Sequence, residues 1–140
     1  MNLYQIHGLF QVIAFIILFP LGAAIAYFRN SIGSIWRPLH IGIQLLAIAF
    51  VFIAYAIVKY ANSKKKSQSD KSYEEKSINQ IHKGLGYTVL VFIVLQLIWA
   101  FFGKLIVPWM TWYYIHMTLS ALIILSGITN IIIAGIMIKS

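Results

Sequence analysis

A chain of 140 residues that is 61% hydrophobic and only 10% charged cannot cover a soluble surface, for which roughly 25% charge is usual. There is no cysteine, which excludes disulfides, Cys-ligated zinc and iron–sulfur clusters. The net charge is +8, but the basic residues gather in loops and at the ends of apolar runs. They read as topology signals and lipid-headgroup contacts, and no nucleic-acid partner is expected.

The first apolar run, Leu3 to Phe28, exceeds the roughly 20 residues that span a bilayer. No basic region precedes it and it is too long for a signal-peptide core, so no cleavage is expected. Pro20 and Gly22 lie inside it, where transmembrane helices use such residues at kinks or close helix contacts. Arg29 and Asn30 end the run, and Ser31 to Arg37 forms a linker. Pro38 suits a first helical turn, so a second helix is predicted from there to Tyr60.

Residues 61–78 are polar and include Lys64, Lys65, Lys66, Asp70, Lys71, Glu74, Glu75 and Lys76. Such a segment cannot bury a core, which predicts a mobile loop with one helical turn near Tyr73 to Lys76. A third helix is predicted over about 79–102, and Gly103, Lys104 and Pro108 form the next connection. A fourth covers about 110–138. The expected fold is all-α: an integral, multi-pass membrane protein built as one domain, 1–140, a four-helix up-down-up-down bundle.

Each run carries one histidine near its start: His7, His40, His82 and His116. Successive helices cross in opposite directions, so His7 and His82 fall near one membrane face, X, and His40 and His116 near the other, Y. In a four-helix bundle each pair joins diagonal helices. Ionisable side chains inside a membrane point to function, and two imidazoles facing across a bundle are the axial geometry of a six-coordinate haem. A single membrane histidine is ordinarily a hydrogen-bonded core residue. Four at the same relative depth, pairing with none left over, favour ligation.

Two histidines per face with no nearby carboxylate leave too few protein ligands for zinc. Gly8, Gly42, Gly84 and Gly86 stand beside the histidines, either as room for a flat macrocycle or as small residues for helix packing. Met117 adjoins His116 and so points to another side of the helix, which argues against a methionine ligand there. Trp36, Trp109, Trp112, Tyr113 and Tyr114 near face Y, and Tyr4 and Tyr60 near face X, are expected as interface anchors. Gln44 and Gln96 lie deeper and are expected to hydrogen-bond between helices.

In order along the chain, these segments resemble the cytochrome b561 superfamily, in particular the core of its DOMON-linked and ferric-reductase branch. His7-Gly8-Leu9 through Phe19-Pro20-Leu21-Gly22 to Arg29 is similar to that branch's opening helix. Trp36 to His40 with Gln44, His82-Lys83-Gly84-Leu85-Gly86 with Gln96, and Trp112 through His116 to Asn130 and Gly135 resemble the next three. The resemblance covers the whole chain except the polar loop. It implies two haem b groups, ligated by His7 with His82 and by His40 with His116. It also implies a transmembrane oxidoreductase that carries single electrons from an ascorbate-like donor to monodehydroascorbate or ferric chelates. Family members commonly have more helices than these four, and no DOMON segment is present in this sequence.

Lys59, the loop lysines, Lys83 and Lys139 fall on face X, and Arg29, Arg37 and Lys104 on face Y. Counting basic residues puts X in the cytosol. The resemblance implies the reverse, and so do the flanks of the first helix, which are basic only at the Arg29 and Arg37 end. On that orientation Arg29 and Arg37 are candidates for steering an anionic donor, and Lys83 is their counterpart on the other face. Plain topology marking explains the same residues. Two rival functions use the same features differently: a haem-free membrane scaffold subunit, and a haem-bearing anchor that passes electrons to quinone for a partner redox subunit. The size of the bundle is compatible with a homodimer.

Overall fold

The structure is a computed structural model that describes residues 1–68 and 77–139. Among the described residues there is no strand, and four helices are long and apolar enough to cross a membrane. They are α1 (Leu3–Tyr27), α2 (Trp36–Gln68), α3 (Ser77–Phe102) and α4 (Trp109–Lys139). The shortest, α1, has 25 residues and rises roughly 37 Å, more than a hydrocarbon core of about 30 Å. The all-α, multi-pass character read from the sequence is what the structure shows. The chain divides into two compact units, Met1–Glu74 and Glu75–Ser140, each built on one helical hairpin.

In the first unit α1 starts with a capping box, in which Asn2 and Gln5 each accept from the other's backbone N–H at 2.9 Å. Its middle, Ile13–Leu18, is wound as a π-helix, with the Phe19 N–H bonded to the Ala14 carbonyl. Pro20 follows directly. A proline ring clashes with the carbonyl four residues back and offers that carbonyl no N–H. The wider π turn relieves the clash, so the helix runs on through Pro20 where an α-helix would kink. On α2 a seam of Ala47, Val51, Ala54 and Ala61 is buried at helical spacing. These small residues let the backbones of α1 and α2 approach closely. The hairpin is antiparallel, as cross-contacts show: Tyr4 donates to Asn62 at 3.0 Å, and the Phe10 ring meets Phe50 edge-on at 4.8 Å.

Two boundaries differ from the sequence expectation. Residues 31–35 are helical turns, Arg29–Ile32 and the 3-10 turn Gly33–Ile35, and Gly33 joins them with φ +76°, a conformation that favours glycine. In addition, α2 begins at Trp36 and continues to Gln68, so the first part of the predicted loop is helix. Alanine, lysine and glutamine are good helix formers, and an established helix extends without needing buried partners. The helical turn expected near Tyr73 to Lys76 lies outside the described residues.

In the second unit α3 and α4 are also antiparallel, packed through Val89, Ile93 and Ile123. Their connection is the 3-10 turn Gly103–Leu105 followed by Pro108. Two tryptophans lock it. The Trp99 indole donates to the Trp112 carbonyl at 3.1 Å, and the Trp112 indole donates to the Trp99 carbonyl at 3.0 Å. A Cβ on Gly103 would stand 2.8 Å from both rings, so only glycine lets them close.

Candidate functional site

All four histidines are half-buried on membrane-spanning helices. In the first unit the Nδ1–H of His7 donates to the Ala54 carbonyl at 2.9 Å, and that of His40 to the Gly22 carbonyl at 2.7 Å. In the second, the Nδ1–H of His82 donates to the Asn130 carbonyl at 3.3 Å. A carbonyl oxygen only accepts, so each of these bonds puts the ring proton on Nδ1. The Nε2 lone pair is then available to a metal, as in metal-ligating histidines generally.

The histidines of one hairpin stand far apart. His7 lies opposite Ala54, which is 14 residues beyond His40 on α2. His82 lies opposite Asn130, which is 14 residues beyond His116 on α4. At 1.5 Å per residue both separations are about 21 Å along the helix. Neither hairpin can therefore supply both axial ligands of one haem, yet both hold their ligands at the same two levels. The sequence carries this signal as nearly equal spacings, His7 to His40 and His82 to His116, which the parity argument did not use.

The glycines separate into two kinds. A Cβ on Gly8, Gly42 or Gly84 would meet no atom within 4 Å, so open space lies beside His7, His40 and His82. By contrast a Cβ on Gly86 would come within 3.3 Å of Asn130, and one on Gly22 within 2.5 Å of the Gln44 amide nitrogen. Gly22 and Gly86 thus serve helix packing, while the first three leave shallow cradles of the kind a flat macrocycle fills. Gln44 sits in the Gly22 notch, one turn deeper than His40, and donates to the Phe19 carbonyl at 3.3 Å. That is the interhelical bond expected of it.

His116 has different surroundings. The Gln96 amide nitrogen lies 2.9 Å from its Nδ1 and donates to Ser120 Oγ at 2.7 Å. Trp112, one turn earlier on α4, stacks on the His116 ring at 4.9 Å with an interplanar angle of 15°. The ammonium of Lys104 sits 4.4 Å over the Trp112 ring and 5.0 Å over Trp109. Sequence reading treated Trp112 only as an interface anchor and Lys104 only as a topology signal. The four-residue spacing of Trp112 and His116 was the available clue. Two buried acceptors have no hydrogen-bond partner, Gln96 Oε1 and Asn130 Oδ1, and both belong to residues in contact with a histidine.

Arg29 and Arg37 are exposed at the turn end of the first hairpin, the end that holds His40. Lys83 is exposed beside His82. Met110 and Met117 are exposed and offer nothing to a shared site with His116. Among the described residues no three His, Cys, Asp or Glu side chains converge on one point. An axial haem pair does not require it, since it takes two imidazoles. The residues present therefore suit haem on three counts: the Nδ1-protonated tautomers, the open glycine cradles and the matched histidine levels.

Comparison with known proteins gives one family. A family model described as eukaryotic cytochrome b561 matches residues 6–138, nearly the whole chain. Neither the curated proteins nor the solved structures give a match.

Proposed function

Because the chain belongs to the cytochrome b561 family, a family of haem-binding transmembrane electron carriers, we propose that it holds two haem b groups and passes single electrons between them across the membrane. The two hairpins pack into one four-helix bundle. His7 and His82 ligate the haem near face X, and His40 and His116 ligate the one near face Y. The observation that carries this reading is the common 14-residue offset. Two hairpins that each present imidazoles about 21 Å apart match at both levels at once when they pair.

Each bound haem supplies a one-electron Fe(III)/Fe(II) couple. The protein residues do the rest. The Ala54, Gly22 and Asn130 carbonyls hold three imidazoles in the ligating tautomer. The glycines beside the ligands admit the ring, and the apolar helices exclude water, which tunes the potential. Arg29 and Arg37 draw an anionic donor of the ascorbate class to the Y end, which faces the cytosol. The donor loses one electron and a proton. At the X end, beside Lys83, monodehydroascorbate or a ferric chelate gains one electron.

The test is a reduced-minus-oxidised visible spectrum with a pyridine haemochrome count on the purified chain. Two b-type haems per chain are expected. His40→Ala is expected to lose one of them, and a variant that keeps both would sink the ligand assignment.

A further inference from the structure

The His116 side of the site holds a contradiction that the two-haem reading must resolve. With the Gln96 amide nitrogen 2.9 Å from His116 Nδ1, the amide donates and the ring nitrogen accepts. The ring proton is then on Nε2, the atom that would have to face iron. The other three histidines carry theirs on Nδ1, held there by backbone carbonyls. At the same time Gln96 Oε1 is buried with no hydrogen-bond partner.

A half-turn of the Gln96 amide removes the contradiction. Oε1 then takes the place of the nitrogen, within reach of His116 Nδ1 and of Ser120 Oγ, which now lies 2.7 Å from the amide. The imidazole N–H donates to Oε1, and Nε2 is freed. Ser120 now donates to the His116 carbonyl at 2.8 Å, and its hydroxyl can rotate to donate to Oε1 instead. Since Oε1 has no partner where it stands, the amide breaks no bond at that end by turning. Orienting partners of this kind fix the ring and set the basicity of a metal ligand.

We propose that Gln96 is the positioning residue for His116: its amide turns over to accept the Nδ1 proton, which creates the ligating tautomer and sets the potential of the haem on face Y. This rests on the two-haem reading. It makes that haem the one whose ligand is held by a replaceable side chain. A stronger acceptor at position 96 puts more electron density on the imidazole and favours the ferric state. A side chain that cannot accept does the opposite.

The test is a redox titration of the full chain with haem bound, comparing wild type, Gln96→Glu and Gln96→Leu, with His116→Ala used to identify the Y haem. Gln96→Glu is expected to lower the midpoint of the Y haem and Gln96→Leu to raise it, with the other haem unmoved. Gln96→Leu should also bind the Y haem roughly 10- to 100-fold more weakly. The nearly isosteric Gln96→Glu keeps the test decisive if Gln96→Leu does not fold. Unmoved midpoints, the reversed order, or equal shifts of both haems would overturn the role of Gln96 while leaving the two-haem reading intact. A wild-type protein without haem would instead overturn that reading, and this inference with it.

Discussion

The two hairpins hold their histidines at the same spacing but by different means. In the first, both imidazoles are tied to backbone, His7 to Ala54 and His40 to Gly22. In the second, His82 is tied to the Asn130 carbonyl, while His116 lies between a glutamine amide and the face of a tryptophan. The difference separates two tasks. Helix rise fixes how far apart the ligands stand, and this is shared. Local chemistry fixes how each ring is oriented, and there the hairpins diverge. In the proposed pairing the X haem has two backbone-held ligands, and the Y haem has one of each kind.

The largest expected effect breaks the comparison if it fails. His7→Ala and His82→Ala, on different hairpins, should remove the same haem. His40→Ala and His116→Ala should remove the other. Each variant is then left with one haem, and the surviving spectrum and midpoint sort the four variants into two groups. The His7→Ala, His82→Ala double variant should lose no more haem than either single change. A grouping by hairpin would refute the diagonal pairing.

Glycines sharpen the comparison at a single ligand. Gly22 and Gly42 both lie close to His40, but only Gly22 is filled from the other side, by Gln44. Gly22→Ala forces Gln44 out of its notch and strains the helix contact, a cost of about 1–3 kcal/mol whether or not haem is present. Gly42→Leu meets no protein atom at its Cβ, so the haem-free chain should keep its thermal stability. It should lose the Y haem, because the side chain occupies the cradle. Thermal unfolding with and without haem distinguishes the two. Full haem content in Gly42→Leu would mean that the open space faces lipid and no more.

Much of this was legible in the sequence because it depends on spacing. Run length gave the four spans, and helix parity gave the histidine pairs. Pro20 and Gly22 marked a special stretch, although the π turn that accommodates the proline is a backbone response that no residue type announces. What sequence missed depends on facing. The Trp99 and Trp112 lock needs two residues 13 apart to meet across a turn. Gln96 was expected to bond between helices and does, but that its partner is His116 follows only from the register of α3 on α4. The helical extension to Gln68 was hidden because polarity signals solvent, and solvent is compatible with helix as well as loop.

The smallest expected effect concerns Lys104, and it probes the same asymmetry from outside the membrane core. Its ammonium lies over Trp112, and Trp112 stacks on His116, so a positive charge stands two rings from the proposed Y ligand. The counterpart on the first hairpin, Trp36, is tilted 49° to His40 with centroids 6.4 Å apart, and so does not stack. A nearby cation disfavours the ferric state, so Lys104→Gln should lower the midpoint of the Y haem and leave the X haem unchanged. Lys104→Arg keeps both the charge and the cation–π contact and should move neither. The site is exposed, so the shift should shrink as salt rises. The Gln96 effect works through a buried hydrogen bond and should not. Titrating both variants at low and high ionic strength therefore separates a field acting through the tryptophan stack from a bond acting on the ligand itself. A salt-independent Lys104→Gln shift would mean that the lysine acts by holding Trp112 in place, with its charge playing no part.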